Sequence, residues 1–281
     1  MPLRIVTDST ADFDRDEAER LGVEVVPLTV FFGEVALLDR VEISPEEFYA
    51  RLPRTKVYPR TSQPSVGRFE ELFATLARSG ATEILAILIS AKLSGTYNAA
   101  RTAARSAPPG CRVETLDSCT VAGGLNALVR RAAAIAARGG GLAEAQAAAE
   151  ALIPRHHISI LLDTLEYLQK GGRIGRARAL LGSVLNIKPI VHVRDGEVGA
   201  GERVRSRARG IERIYETTLS YPNPERIIVQ HTGAANDAAT LARRLRGAAP
   251  GAEIEVRWIG PVVGVYVGPN GVGTVTVERT P

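Results

Sequence analysis

The chain has 281 residues, about two domains at roughly 150 residues each, and long enough to bury its own core. Its 45% apolar and 23% charged residues exclude disordered, collagen-like and coiled-coil classes, and Cys111 and Cys119 are too few for a disulfide framework. The formal net charge is only +4 but unevenly spread: Lys170 to Arg213 holds eleven Lys/Arg against four Asp/Glu, so one basic face is expected.

In chain order, Leu3 to Thr7 reads as a short strand leading into Asp8-Ser9-Thr10 and a helix near Asp14 to Leu21. Thr61-Ser62-Gln63-Pro64-Ser65 precedes a helix with Val66, Phe69, Leu72, Phe73 and Leu76 on one face, with Pro64 expected near its first turn. Ile84 to Ile89 is a continuous apolar strand, followed by Ser94-Gly95-Thr96 and a helix from about Tyr97 to Arg105. Val113 to Leu116 ends at Asp117-Ser118 before a helix from about Val121 to Arg138. Apolar strands alternating with helices predict a parallel sheet covered on both faces. Gly139-Gly140-Gly141 separates two Ala-rich helices and Pro154 closes the second. A domain boundary is expected there, giving domains 1–153 and 154–281, with the helical segment near 62–80 a candidate to pack with the second.

The second half mixes its elements. His157 to Leu162 reads as a strand, helices flank Gly171-Gly172-Arg173-Ile174-Gly175, and Arg194-Asp195-Gly196 between β-rich runs signals a hairpin. A helix near Val204 to Leu219, a strand at Arg226 to Gln230 and a helix near Ala235 to Leu245 follow, then strands near Glu253 to Ile259, Val262 to Val267 and Thr274 to Val277. The expected class is α/β: a parallel-sheet α/β domain, a mixed-sheet α+β domain, and a ligand between them. Trp258 to Val277 is uncharged but carries five glycines and two prolines, so it reads as strands and a turn rather than a membrane span. With Pro2 and a strand where a basic, apolar leader would stand, a cytoplasmic protein is expected.

The chemistry lies in hydroxyls. In parallel sheets ligands bind beyond the carboxyl ends of strands, and there this chain places Ser9 and Thr10, Ser94 and Thr96, and Ser118, with Thr61 and Ser62 before another helix. Ser94-Gly95-Thr96 is the sharpest of these, because Gly permits close approach to a carboxylate or phosphate between two hydroxyls. Each hydroxyl alone is most simply a helix cap, and it is their recurrence that points to a ligand. No phosphate-loop, dinucleotide, nucleophile-elbow or zinc-protease signature is present, and the four histidines lack ligand spacing, so no metal is expected. Hydroxyls without an evident base suit a ligand clamp better than a nucleophile.

These blocks together, Asp8-Ser9-Thr10-Ala11-Asp12, Thr61-Ser62-Gln63-Pro64-Ser65, Leu93-Ser94-Gly95-Thr96-Tyr97, Leu116-Asp117-Ser118, Leu162 to Leu168 with Lys170-Gly171-Gly172-Arg173-Ile174, and Asn186-Ile187-Lys188-Pro189-Ile190, resemble the DegV family of bacterial fatty-acid-binding proteins from the first strand to about Gly273. The resemblance implies a carrier enclosing one long-chain fatty acid between two domains and presenting its carboxylate to a separate ATP-binding fatty acid kinase, which makes acyl phosphate for phospholipid synthesis. It implies carboxylate binding by Thr61 and Ser94, with Ser62, Gly95 and Thr96 nearby, kinase docking or phosphate transfer by Arg173, and no cofactor. Where the family commonly has a His before its C-terminal Gly-Pro-Gly turn, this chain has Tyr266, a hydrogen-bond donor that carries no positive charge near neutral pH. The basic segment would face the kinase or, transiently, a membrane surface. Two other readings stand beside this one: nucleic-acid binding through Arg203, Arg205, Arg207, Arg209 and Arg213, against which the 5% aromatic content counts, and an acyl- or phosphate-processing enzyme using Ser94.

Overall fold

The computed structural model describes residues 2–181 and 187–279, so Asn186 of the last sequence block lies outside the described residues. The first half alternates as its apolar runs demand: β1 (Leu3–Asp8), α1 (Arg15–Leu21) and β2 (Val23–Val26) come first. Then follow β3 (Thr29–Phe32), β4 (Val35–Leu38), α2 (Pro45–Arg51), β5 (Arg60–Ser62), α3 (Val66–Arg78), β6 (Glu83–Leu88), α4 (Thr96–Ala104), β7 (Arg112–Asp117), α5 (Gly123–Ala137) and α6 (Leu142–Glu150). Strands β2-β1-β6-β7 form an all-parallel sheet. One face is covered by α3 and α4 through Phe69, Phe73, Leu76, Ala99 and Ala103. The other is covered by α5 and α6 through Leu125, Leu128, Ala132 and Ala145.

The second half comprises β8 (His156–Leu161), α7 (Glu166–Lys170), β9 (Lys188–Arg194), β10 (Glu197–Val204), α8 (Arg207–Ser220), β11 (Pro224–His231), α9 (Ala235–Ala248), β12 (Glu253–Trp258), α10 (Pro261–Val267) and β13 (Val272–Glu278). Its six-stranded sheet runs β10-β9-β8-β13-β11-β12, antiparallel except for the β11–β12 pair. The expected hairpin joins β9 to β10, with Asp195 and Gly196 both at positive φ, 52° and 77°, as a type I′ turn requires. Helices α8 and α9 cover the outer face through Ile214, Leu241 and Leu245. The inner face turns Ile158 and Val275 toward α5, so the two sheets sandwich that helix. Beside α5, the layer between the sheets is free to hold something else.

Three differences from the sequence reading bear on that layer. Val262 to Val267 is not a strand but the short helix α10: Pro261 sits at its first position, where no N–H is missed, and Gly268 at φ 74° stops it. Burial of Val262 and Val265 overrides the β preference of the valines, and Gly264 sits so close to Phe48 and Tyr49 that a Cβ would have no room. Second, β4-β3-β5 form a separate antiparallel sheet, a flap unread in the sequence because its strands are only three or four residues long. Third, the flap together with α2, not the 62–80 helix, packs against the second half: Val30 and Phe32 of β3, Phe48 of α2 and Leu52 after it meet Val262 and Val265, whereas α3 stays on the first sheet. Among the described residues no helix is long and apolar enough to cross a membrane.

Candidate functional site

Between the two sheets, beside α5, lies a cavity of about 280 Å³. Its walls are apolar: Ile89 and Val121 from the first half face Ile160, Val191, Val193 and Val198 of the second, with Leu28 of the flap and Val262 and Val263 of α10 alongside. Alternation along β8 and β9 turns these branched side chains inward. Such a space suits a slender apolar ligand.

Polar groups also line it: Thr61, Ser62, Gln63, Ser94, Gly95, Arg173 and Tyr266. Contacts link Thr61, Tyr266 and Arg173, and Gly95 lies against Gln63. The hydroxyls of Thr61 and Tyr266 lie 2.6 Å apart, joining the flap to α10. The Arg173 guanidinium sits 5.1 Å from the Tyr266 ring centroid, and its Nε and Nη1 donate to the carbonyls of Leu93 (3.2 Å) and Gly171 (2.9 Å). Gly171 and Gly95 are needed for close approach, since a Cβ on the first would strike the Tyr266 ring and on the second the Gln63 amide. Ser94 Oγ lies 2.9 Å from Thr96 Oγ1 and accepts the Thr96 amide at 3.3 Å, a local turn that leads into α4.

The hydroxyls expected from sequence therefore divide. Thr61, Ser62, Ser94, Gly95, Tyr266 and Arg173 reach the cavity, while Thr96 is fully buried and supports Ser94 from behind. Thr61 and Ser62 stand on β5, and the cap of α3 is Ser65, with Pro64 preceding it instead of starting the first turn. Ser9, Thr10 and Ser118 are consumed internally: Ser9 Oγ accepts Leu28 N (3.1 Å), Thr10 Oγ1 donates to Asp8 (2.5 Å), and Ser118 Oγ donates to the Thr120 carbonyl (3.3 Å). Gln63, inside the Thr61 to Ser65 block, is a cavity residue the sequence reading did not single out.

The flap is fastened to both halves. Asp12, fully buried, accepts the Gly260 amide (2.8 Å) and the Arg40 guanidinium (3.2 Å), which also donates to the Trp258 carbonyl (3.2 Å). Burial pushes Asp12 up to about 6 despite the neighbouring Arg40 charge, and pushes Asp39 up to about 7 against the opposing effects of Arg40 and the Ser9 hydroxyl. Tyr49 donates to the Ile259 carbonyl (2.9 Å) and Tyr58 to that of Val265 (2.5 Å). Among the described residues, no group of three or more His, Cys, Asp or Glu is placed to hold a metal ion.

The expected basic face is neutralised only in part: Lys170 pairs with Glu166, while Arg173, Arg178, Arg194, Arg203 and Arg205 form no ion pair among the described residues. Lys188 and Arg207 pair with Asp163, Arg207 also with Asp237, Arg209 and Arg213 with Glu216, and Arg176 with Glu197.

Comparison with known proteins adds the following. A family model described as "Uncharacterised protein, DegV family" matches residues 2–279. A DegV domain-containing protein of Streptomyces coelicolor is 39% identical over 278 residues, 98% of each chain, and one of Deinococcus radiodurans is 37% identical over 282 residues, 97% of each. Among solved structures, a DegV family protein from Thermus thermophilus, described by its fatty acid binding, superposes with a TM-score of 0.92 at 32% identity, over 99% of this chain and 100% of that one. DegV of Bacillus subtilis, described as a fatty acid binding protein, gives 0.91 at 28% identity, again over 99% and 100%.

Proposed function

The chain belongs to the DegV family, and from that premise we propose that it is a carrier that holds one long-chain fatty acid in the cavity between its two sheets, the acyl chain along the apolar walls and the carboxylate at the hydroxyl cluster. The observation that carries this reading is the division of one cavity into a valine- and isoleucine-lined body and a single cluster of Thr61, Ser62, Ser94, Tyr266 and Arg173. A buried carboxylate is costly unless hydrogen-bonded, and these groups supply donors at one place. Each buried methylene contributes about 0.8 kcal/mol, so a chain of about sixteen carbons gains enough to exceed the cost of association with no further polar contact.

In this reading the partner is an ATP-binding fatty acid kinase that phosphorylates the presented carboxylate, and the chain is the substrate-binding component, working in the cytoplasm with no cofactor of its own. Arg173 is exposed, held by two carbonyls and the Tyr266 ring with no ion pair among the described residues, and so retains an uncompensated charge for the kinase or the transferred phosphoryl group. The domains meet near residues 153 and 154, and the acyl chain would be gripped by both. A Ser94 nucleophile is disfavoured, because the hydrogen-bond partners of its hydroxyl are the Thr96 hydroxyl and amide, and neither is a general base. A nucleic-acid surface on Arg203 to Arg213 is disfavoured by the ion pairs of Arg207, Arg209 and Arg213. The test is native and denaturing mass spectrometry of the chain purified from a bacterial host: a non-covalent adduct with the mass of a long-chain fatty acid, released on denaturation, is expected. Kinase coupling is tested by adding the kinase and ATP to the loaded chain and comparing Arg173→Ala for acyl-phosphate formation at unchanged acid binding.

A further inference from the structure

Strand β9 pairs with β8 only from Ile158 to Leu161, and beyond that point Arg194 and Asp195 turn away into the hairpin, leaving the edge of His156 and His157 open on that side. Between this edge, the hairpin and the loops that follow β6 and β7 lies a cleft of about 780 Å³. Among the described residues it shares only Val193 with the first cavity. Part of its wall is apolar, made by Ile153, Pro154 and Ile158. It also holds an aromatic pair, the His157 and Tyr221 rings, stacked at 3.9 Å between centroids and 3° between planes. Both rings are fixed: His157 Nε2 lies 2.8 Å from a Glu278 carboxylate oxygen, and Tyr221 is hydrogen-bonded to Ser159, whose hydroxyl is 3.0 Å from His192 Nδ1. Burial lowers the pKa of His156 and His192, so these two line the cleft as neutral rings. Its charges divide. Glu202 is taken up by Arg213 (2.8 Å), and Lys92 shares Glu197 with Arg176, each at 3.3 Å, which leaves that group of three one positive charge in excess. Arg194 and Asp195 are exposed and form no ion pair among the described residues. The Arg194 charge reaches Tyr221, where it opposes the rise that burial imposes on the phenol.

We propose that this cleft is a second ligand site, which takes a nucleoside monophosphate: the base on the His157–Tyr221 stack, the ribose hydroxyls on Asp195 and the phosphate between Arg194 and Lys92. A rigid aromatic surface accepts a base because every base has a π-face. A phosphate monoester, with nearly two negative charges, matches two cations, and a guanidinium meets its oxygens with two parallel N–H donors. A carboxylate accepts hydrogen bonds but donates none, so Asp195 calls for a ligand that carries hydroxyls beside its anion. An aromatic carboxylate would meet the same cations yet leave Asp195 facing a like charge with no donor, and free phosphate would leave the stack unused. The volume is in the range of small-molecule sites, which favour the junction of domains. Because the cleft is assembled from both halves of the chain, no local sequence motif marks it. It stands independently of the acyl reading of the first cavity.

The test is calorimetric titration of the full delipidated chain with AMP, with adenosine, ribose 5-phosphate and inorganic phosphate as partial ligands. One AMP per chain is expected, and each partial ligand should bind at least about tenfold more weakly. Arg194→Ala should weaken AMP about 10- to 150-fold, the range for a hydrogen bond to a charged group, while leaving adenosine nearly unchanged. Tyr221→Leu should weaken AMP and adenosine alike, by about 5- to 150-fold, the range for stacking on a base. Tyr221→Phe, which keeps the ring, should retain most of the affinity, and this separates lost stacking from lost fold. Arg178→Ala, outside the cleft, and Val191→Trp, which fills the first cavity, should leave AMP binding unchanged. No binding of AMP or GMP up to about 1 mM, AMP affinity unmoved by Arg194→Ala, or inorganic phosphate binding as tightly as AMP would each overturn the proposal, the last leaving an anion site only. So would loss of AMP binding in a folded Val191→Trp chain, which would put the nucleotide in the first cavity. AMP binding by a chain with no fatty-acid affinity would instead sink the acyl reading of that cavity and leave this site standing.

Discussion

Ser94→Ala is the sharpest probe of the carboxylate end. The Ser94 hydroxyl sits in a half-exposed loop, and its only hydrogen-bond partners among the described residues are the hydroxyl and amide of Thr96. Its removal costs the fold little, because what is lost is one long contact (3.3 Å) to the first amide of α4 and one hydroxyl contact at a half-exposed loop. The effect on ligand is larger: a hydrogen bond to a charged group contributes about 1.5–3 kcal/mol, so the Kd for palmitic acid should rise roughly 10- to 150-fold. Thr61→Ala should do less, since the Tyr266 hydroxyl, 2.6 Å from Thr61 Oγ1, is then released to the carboxylate, and the double variant should lose at least about a hundredfold. The assay is calorimetric titration of delipidated protein with palmitic acid and with its methyl ester. The ester cannot present a carboxylate, so preference for acid over ester should shrink in Ser94→Ala while ester affinity barely moves. A Kd within about twofold of the unaltered chain, with Tm unchanged, would refute the head-group assignment.

Two further outcomes follow from the packing. Val191→Trp places a large ring in the cavity wall, where Val191 is 3% exposed, and should abolish palmitic acid binding while costing about 1–3 kcal/mol of stability, measured by titration and denaturant melts; retained binding would move the acyl chain elsewhere. Asp39→Asn tests the buried acid under the flap: with Asp39 pushed up to about 7, its protonated form is favoured in the fold, and that advantage is present near pH 4 and lost as pH rises through 7. The variant, which cannot ionise, should therefore gain on the unaltered chain between those limits by on the order of 4 kcal/mol, and parallel pH–stability curves would contradict this.

What the sequence made legible follows the range of the interactions. Alternating strands and helices are local, so the runs at Leu3, Ile84 and Val113 identify the parallel sheet, and Asp195-Gly196 identifies a hairpin whose turn demands positive φ. The valine-rich stretch at 262 to 267 misled because β-branched residues favour strands, while Pro261, Gly264 and burial against Phe48 and Tyr49 impose a helix through contacts more than two hundred residues apart. The flap left no periodic signal, its strands being three or four residues long. Of the hydroxyls at strand ends, spacing alone could not separate Ser94, which lines the cavity, from Ser9 and Ser118, which serve the backbone. The cavity walls were invisible for a plainer reason: Ile160, Val191 and Val198 have the same chemistry as any core residue, and only the arrangement of two sheets around α5 leaves a space between them.

The central claim is that one fatty acid occupies this space. Mass spectrometry of the chain purified from a bacterial host, first native and then denatured, tests it most directly. The account predicts a single small adduct of long-chain fatty-acid mass in the native spectrum that disappears on denaturation. A folded chain that arrives empty and remains empty after incubation with palmitic and oleic acids would contradict it.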